Sequence, residues 1–105
     1  MTAEEETIVR RVRLELEKLY GDRLRKVILY GSRARGDAHE ESDYDFIAVL
    51  DEVPDYWAET SRLSDLTFDL LMDTGAFIMV RPGTAAELDE RTLFMENVRR
   101  EGMPV

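Results

Sequence analysis

The chain has 105 residues, the size of one domain, with 44% hydrophobic and 35% charged residues. Cysteine is absent and His39 is the single histidine, which excludes disulfides, thiolate catalysis, cysteine-based metal sites and histidine clusters. The net charge of −9 argues against general DNA binding and against a membrane surface, because both are polyanions. No apolar run approaches the roughly 20 residues of a membrane span. Met1-Thr-Ala-Glu-Glu-Glu6 is acidic where a secretory leader is basic and then apolar, so a cytoplasmic location is expected.

In chain order, Thr2-Ala-Glu-Glu5 forms a capping-box pattern. Ile8, Val12, Leu16 and Leu19 then recur at helical spacing up to Gly21, where a helix would end. Lys26–Tyr30 reads as a short buried strand that stops at Gly31, and Tyr44–Leu50 reads as a second. After Pro54, Tyr56, Trp57 and Leu63 predict a short amphipathic helix whose aromatics pack on the sheet or at an interface. Leu66–Met72 is predicted as a third strand, with Phe68, Leu70 and Met72 on one face. Phe77–Val80 is a fourth strand or the return of a hairpin through Thr74-Gly75. If it lies at the sheet edge, its unpaired backbone would invite a dimer or a hetero-complex. A second capping box, Thr84-Ala-Ala-Glu87, opens a last helix running to Gly102. The whole is a single α/β (α+β) domain spanning residues 1–105, with a small mixed sheet flanked by helices.

Charge is unevenly spread. Arg23 to Gly36 holds five basic residues and no acid, whereas Asp37 to Asp73 holds 12 acids against the single base Arg62. A basic segment beside a carboxylate-rich one suits a site for phosphates and divalent cations, and equally a helix face beside a solvated loop. At Gly31-Ser32 a strand ends and a helical pattern follows. Glycine there lets a ligand approach the backbone, helix-start N–H groups point at it, and Arg33 and Arg35 offer cationic forks for phosphate oxygens. The P-loop spacing and its lysine are missing, and a plain Gly-Ser turn ahead of a helix would look the same.

Ten residues separate Ser32 from Asp43-Tyr44-Asp45 at the entry of the second strand. Residues i and i+2 of a strand share a face, so Asp43 and Asp45 lie side by side. Adjacent anions repel unless a cation holds them, and Mg²⁺ takes oxygen ligands shared with substrate phosphates. Asp69 falls inside the predicted third strand, where an unpaired carboxylate is costly. It is therefore the candidate third ligand or general base, unless an arginine faces it. His39 reads as an exposed loop residue, and Met72, Met79 and Met95 as core or partner-facing positions.

Tyr30-Gly-Ser-Arg-Ala-Arg-Gly-Asp37, followed by Ser42-Asp43-Tyr44-Asp45 and a strand aspartate, resembles the signature of the polymerase-beta-like nucleotidyltransferases. Within them it is most similar to the minimal nucleotidyltransferases. The resemblance covers at least Lys26 to Met72, and Asn97-Val-Arg-Arg-Glu-Gly102 is also similar. It implies the polymerase-beta-like fold and transfer of a nucleoside monophosphate, AMP from ATP, to an acceptor hydroxyl. By the resemblance, Asp43 and Asp45 hold two Mg²⁺ ions, and Asp69 completes the one nearer the acceptor and helps to deprotonate the attacking hydroxyl. Gly31, Ser32, Arg35 and Ser42 make up the nucleotide-binding set.

Larger relatives add an acceptor-holding domain for which this chain has no room, so a partner, a second copy or the acceptor itself is expected to complete the site. That absence also disfavours an antibiotic-modifying transferase. The resemblance further implies a HEPN-type partner, with the chain acting as antitoxin by adding AMP to a toxin tyrosine. The alternative is a binding module that neutralises its partner by complex formation alone.

Overall fold

The computed structural model describes residues 1–105. Helix α1 (Ala3–Tyr20) begins at the expected capping box: the Glu5 N–H donates to Thr2 Oγ1 at 3.1 Å, and the Thr2 N–H donates to Glu5 Oε1 at 2.9 Å. Its buried stripe is Ile8, Val9, Val12, Leu16 and Tyr20. Strand β1 (Leu24–Tyr30) follows, then the single-turn helix α2 (Ser32–Arg35) and strand β2 (Tyr44–Leu50). β2 is buried on both faces, which explains its uninterrupted apolar run. Tyr44, Phe46, Ala48 and Leu50 join the larger core under α1, while Ile47 and Val49 point to a smaller cluster on the other face.

The structure overturns the split of residues 56–74 into a short helix and a strand. Helix α3 runs unbroken from Tyr56 to Thr74, with Asp55 as N-cap and Gly75 in the left-handed conformation behind it. Glu59, Leu63 and Leu70 are its buried residues, spaced as one helical face requires. The apparent alternation of Phe68, Leu70 and Met72 has no strand behind it: Leu70 is buried, whereas Phe68 and Met72 are 58% and 67% exposed. Trp57, at 77% exposure, does not pack on the sheet, and of the three methionines only Met95 is buried. Strand β3 (Ile78–Thr84) pairs with β2 in parallel, which rules out the hairpin through Thr74-Gly75. A parallel neighbour needs a crossover, and α3 is that crossover.

The sheet order is β3-β2-β1-β4, with β1 antiparallel to both of its neighbours. β3 therefore lies at an edge, a position the sequence left open, and Pro82 in it removes one ladder donor. The expected long last helix is two: α4 (Ala85–Leu88), capped by Thr84, and α5 (Leu93–Glu101), capped by Thr92. Arg99 holds the corner between them by donating to the Leu88 and Glu90 carbonyls. Strand β4 (Met103–Pro104) then pairs with Ile28 and Leu29 of β1. At Gly102 a Cβ would lie 2.5 Å from the Val98 carbonyl oxygen, so only glycine fits that corner without a shift.

Glu59 is the one charged residue in the buried set. Tyr20 donates to its Oε2 at 2.7 Å, and Arg23 reaches its Oε1 at 3.4 Å. Burial, then the bond to Glu59, pushes the Tyr20 hydroxyl far above its ordinary range, so it remains a donor. Tyr20→Phe removes a hydrogen bond to a buried carboxylate and should destabilise the fold by about 1.5–3 kcal/mol. Urea unfolding checks this, and a wild-type midpoint would refute it.

Candidate active site

β1 and β2 bring the two halves of the motif together. Their antiparallel register sets Tyr30 opposite Asp45, so the turn that leaves β1 at Gly31 lies beside the carboxylates that enter β2. Gly31 has φ 77° and ψ −159°, a conformation open essentially to glycine alone. A Cβ there would lie 2.7 Å from Asp45 Oδ2. Ser32 and Arg33 start α2, where backbone N–H groups have no acceptor within the helix.

Burial raises the pKa of Asp45, the Asp43 charge raises it further, and Arg35 opposes both. Asp43 is exposed. Tyr30 is also raised, first by burial and then by the neighbouring Asp45. Its ring meets Phe94 of α5 edge-on at 5.5 Å.

The two arginines of the motif have different tasks. Arg33 is consumed structurally, which corrects its reading as a phosphate fork. It donates to the Ser42 and Glu40 carbonyls, pairs with Glu5 of α1 at 3.1 Å, and lies over the Tyr44 ring at 4.3 Å. It thereby ties the 37–43 loop to α1. Arg35 is exposed, held by Asp37 at 3.2 Å and Glu101 at 3.3 Å, and close enough to act on Asp45. Ser42 accepts the His39 N–H at 3.0 Å, which closes the turn that aims Asp43. His39 is exposed in that turn.

Asp69 does not join this site as a strand residue. It is exposed on α3, whose buried residues belong to the core on the opposite sheet face from Asp45, Ile47 and Val49. No group of three or more His, Cys, Asp or Glu side chains is placed to hold a metal ion. The pair Asp43 and Asp45 remains: two repelling oxygen donors, one of them half-buried, beside a glycine cradle. That donor set fits a divalent cation of the Mg²⁺ type, which takes few protein ligands and fills the rest from water and phosphate. A cleft of about 1250 Å³ opens on the far side of Asp43, lined by Glu5, Arg33, Ser42, Tyr44 and Phe77 among others. Gly31, Ser32 and Asp45 are not part of it, so the motif meets the cleft through Arg33, Ser42, Asp43 and Tyr44.

Sequence reasoning missed Arg81 and Phe94, which border the site from β3 and α5. Arg81 is level with Ile47, and its guanidinium lies 4.6 Å from the Phe94 ring centre. The one signal in the sequence was a basic residue between Val80 and Pro82 in an apolar run.

The chain belongs to the nucleotidyltransferase domain family, whose model matches residues 9–97, a span that includes the Gly31 turn and the carboxylates at the entry of β2. Two Methanocaldococcus jannaschii proteins that carry the name protein adenylyltransferase are similar to it. MJ0604 is 43% identical over 63 residues, covering 60% of this chain and 57% of that protein. MJ0141 is 40% identical over 47 residues, covering 45% of this chain and 48% of that protein. The chain thus spans about half the length of the curated relatives it matches. Among solved structures, a toxin–antitoxin with AMP-PNP superposes with a TM-score of 0.63 at 18% identity, over 98% of this chain and 72% of that one. A mutant of the MntA-HpeT toxin–antitoxin gives 0.62 at 16% identity, over 90% and 69%. At such identities these two show the fold alone. No helix is long and apolar enough to cross a membrane.

Proposed function

We propose that the chain transfers a nucleoside monophosphate, AMP from ATP, to a hydroxyl of a partner protein. The observation that carries this reading is the packing of Asp45 against Gly31, a glycine turn beside a carboxylate, which is what binding a phosphate and a divalent cation together requires. Asp43 and Asp45 are the residues that would hold Mg²⁺. Bound there, Mg²⁺ neutralises the triphosphate and polarises the phosphorus under attack. The resemblance implied two ions on Asp43 and Asp45, with Asp69 completing one of them, and Asp69 is exposed on α3. The N–H groups that open α2 and the Ser32 hydroxyl donate to phosphate oxygens, and Arg35 adds a cation beside Asp45. Phosphoryl chemistry of this kind needs positioning and charge neutralisation more than covalent participation.

The names of the two M. jannaschii relatives favour AMP as the group moved and a protein as acceptor. The toxin–antitoxin neighbours favour a toxin partner, and we take the HEPN-type partner, its tyrosine and a cytoplasmic setting as part of the same reading. Calorimetric titration with each NTP in Mg²⁺ tests it. Wild type should bind ATP in a metal-dependent way, and Asp43→Asn/Asp45→Asn should lose that binding. Binding unchanged in the double variant would overturn the reading.

One observation favours a second reading, neutralisation by complex formation alone: no third carboxylate stands beside the pair. Co-expression of Asp45→Asn with the partner separates the two. Neutralisation that survives undiminished is docking and not catalysis.

A further inference from the structure

Four arginines are partly buried: Arg11, Arg23, Arg33 and Arg81. The first three each reach a carboxylate, Arg11 at Asp73 and Glu15, Arg23 at Asp51 and Glu59, and Arg33 at Glu5. Arg81 has no salt bridge and no side-chain hydrogen bond. Its one defined contact is the Phe94 ring, 4.6 Å from the guanidinium carbon. Partly buried and without an ion pair, its guanidinium leaves its donors free for another group. In a chain with 23 acids against 14 basic residues, a partly buried arginine left without an acid is open to an anion from outside.

Its place in the sheet says which site that anion enters. In the parallel β2–β3 ladder, Met79 is level with Asp45 and Arg81 is level with Ile47, so both share the face of Asp45. Phe94 contacts Tyr30 on one side and Arg81 on the other, so one ring sets both side chains. On this face β3, the edge strand beside β2, presents a cation.

We propose that Arg81, seated on Phe94, is a phosphate-binding residue of this site and takes an oxygen of the nucleotide's phosphate chain. The proposal rests on the nucleotidyltransferase reading and adds to it a residue outside the motif. A planar fork suits phosphate oxygens, and stacking on an aromatic ring sets its orientation before the ligand binds.

Titration of wild type, Arg81→Met and Arg81→Lys with Mg²⁺-ATP and with inorganic tripolyphosphate, each at two salt concentrations, tests it. Arg81→Met keeps an apolar stem against Phe94 and should weaken both ligands by about 10- to 100-fold. It should also flatten the salt dependence, while the unfolding midpoint does not fall, because the methionine stem keeps the Phe94 contact and Arg81 has no ion pair or hydrogen bond to lose. Arg81→Lys should recover part of the affinity. Equal affinity of wild type and Arg81→Met for both ligands would overturn the proposal and leave the nucleotidyltransferase reading standing. Absence of both ligands from wild type would overturn the two together. Weakened binding with an unchanged salt slope and a lowered midpoint would assign Arg81 a packing role and overturn the proposal alone.

Discussion

Asp45→Asn should raise the unfolding midpoint of the protein while removing its metal-dependent nucleotide binding. Burial of the carboxylate comes first in lifting its pKa above the ordinary 3.8, and the charge of Asp43 adds to it. A folded-state pKa above the unfolded one means that the folded chain binds this proton more tightly. The contribution of the group is therefore fully favourable below pH 3.8 and is lost as the pH rises through the folded-state value. At neutral pH the ionised Asp45 works against the fold, and a neutral amide of the same shape does not. The variant and wild type should thus have matching stability at pH 3 and diverge above about pH 4, with the variant the more stable. Mg²⁺ should reverse the order, by stabilising wild type and leaving the variant unchanged. Denaturant unfolding across this pH range, with and without Mg²⁺, is the measurement. A variant less stable than wild type at pH 7 without metal would sink the account.

The second large effect is expected at Gly31, with Gly36 as its control. Both have positive φ, 77° and 86°, so alanine strains the backbone at either position. Gly36 lies in the ordinary left-handed region with nothing within 4 Å of an added Cβ, and its replacement should cost about 1–2 kcal/mol. Gly31 has ψ −159°, a conformation that alanine reaches only at about 1–3 kcal/mol, and its Cβ would displace the Asp45 carboxylate. Gly31→Ala should therefore lose nucleotide binding altogether, and Gly36→Ala should keep it. Calorimetry on the two purified variants decides, and ATP affinity of Gly31→Ala equal to wild type would refute the cradle.

The parts of the fold that were legible have local causes. The Thr2–Glu5 capping box and the stripe from Ile8 to Leu16 define α1 without help from the rest of the chain. Strand β2 begins and ends where its apolar run does, since both its faces are covered. That Gly31-Ser32 and Asp43-Tyr44-Asp45 belong together was implied by the resemblance, while the antiparallel register that sets Tyr30 opposite Asp45 is a property of the tertiary structure. The segment from Leu66 to Met72 was not. Its alternating apolar residues fit a strand, yet Phe68 and Met72 are exposed on a helix, and only the parallel placement of β3 requires a helical crossover there. With that helix Asp69 lost its strand setting. Likewise, Arg33 and Arg35 read alike as phosphate forks until Glu5, distant in sequence, claimed Arg33.

By itself, the sequence determined a small α/β domain of the nucleotidyltransferase family and put Gly31, Ser32, Asp43 and Asp45 forward as its candidate site. Capping, strand patterning and turn chemistry act over a few residues and are written in order along the chain. Only the tertiary structure decided that the pair stands without a third carboxylate and that Arg81 and Phe94 border it. Those facts depend on which strand lies beside β2 and which helix covers that face. Non-local packing makes that choice, and no window of neighbouring residues contains it.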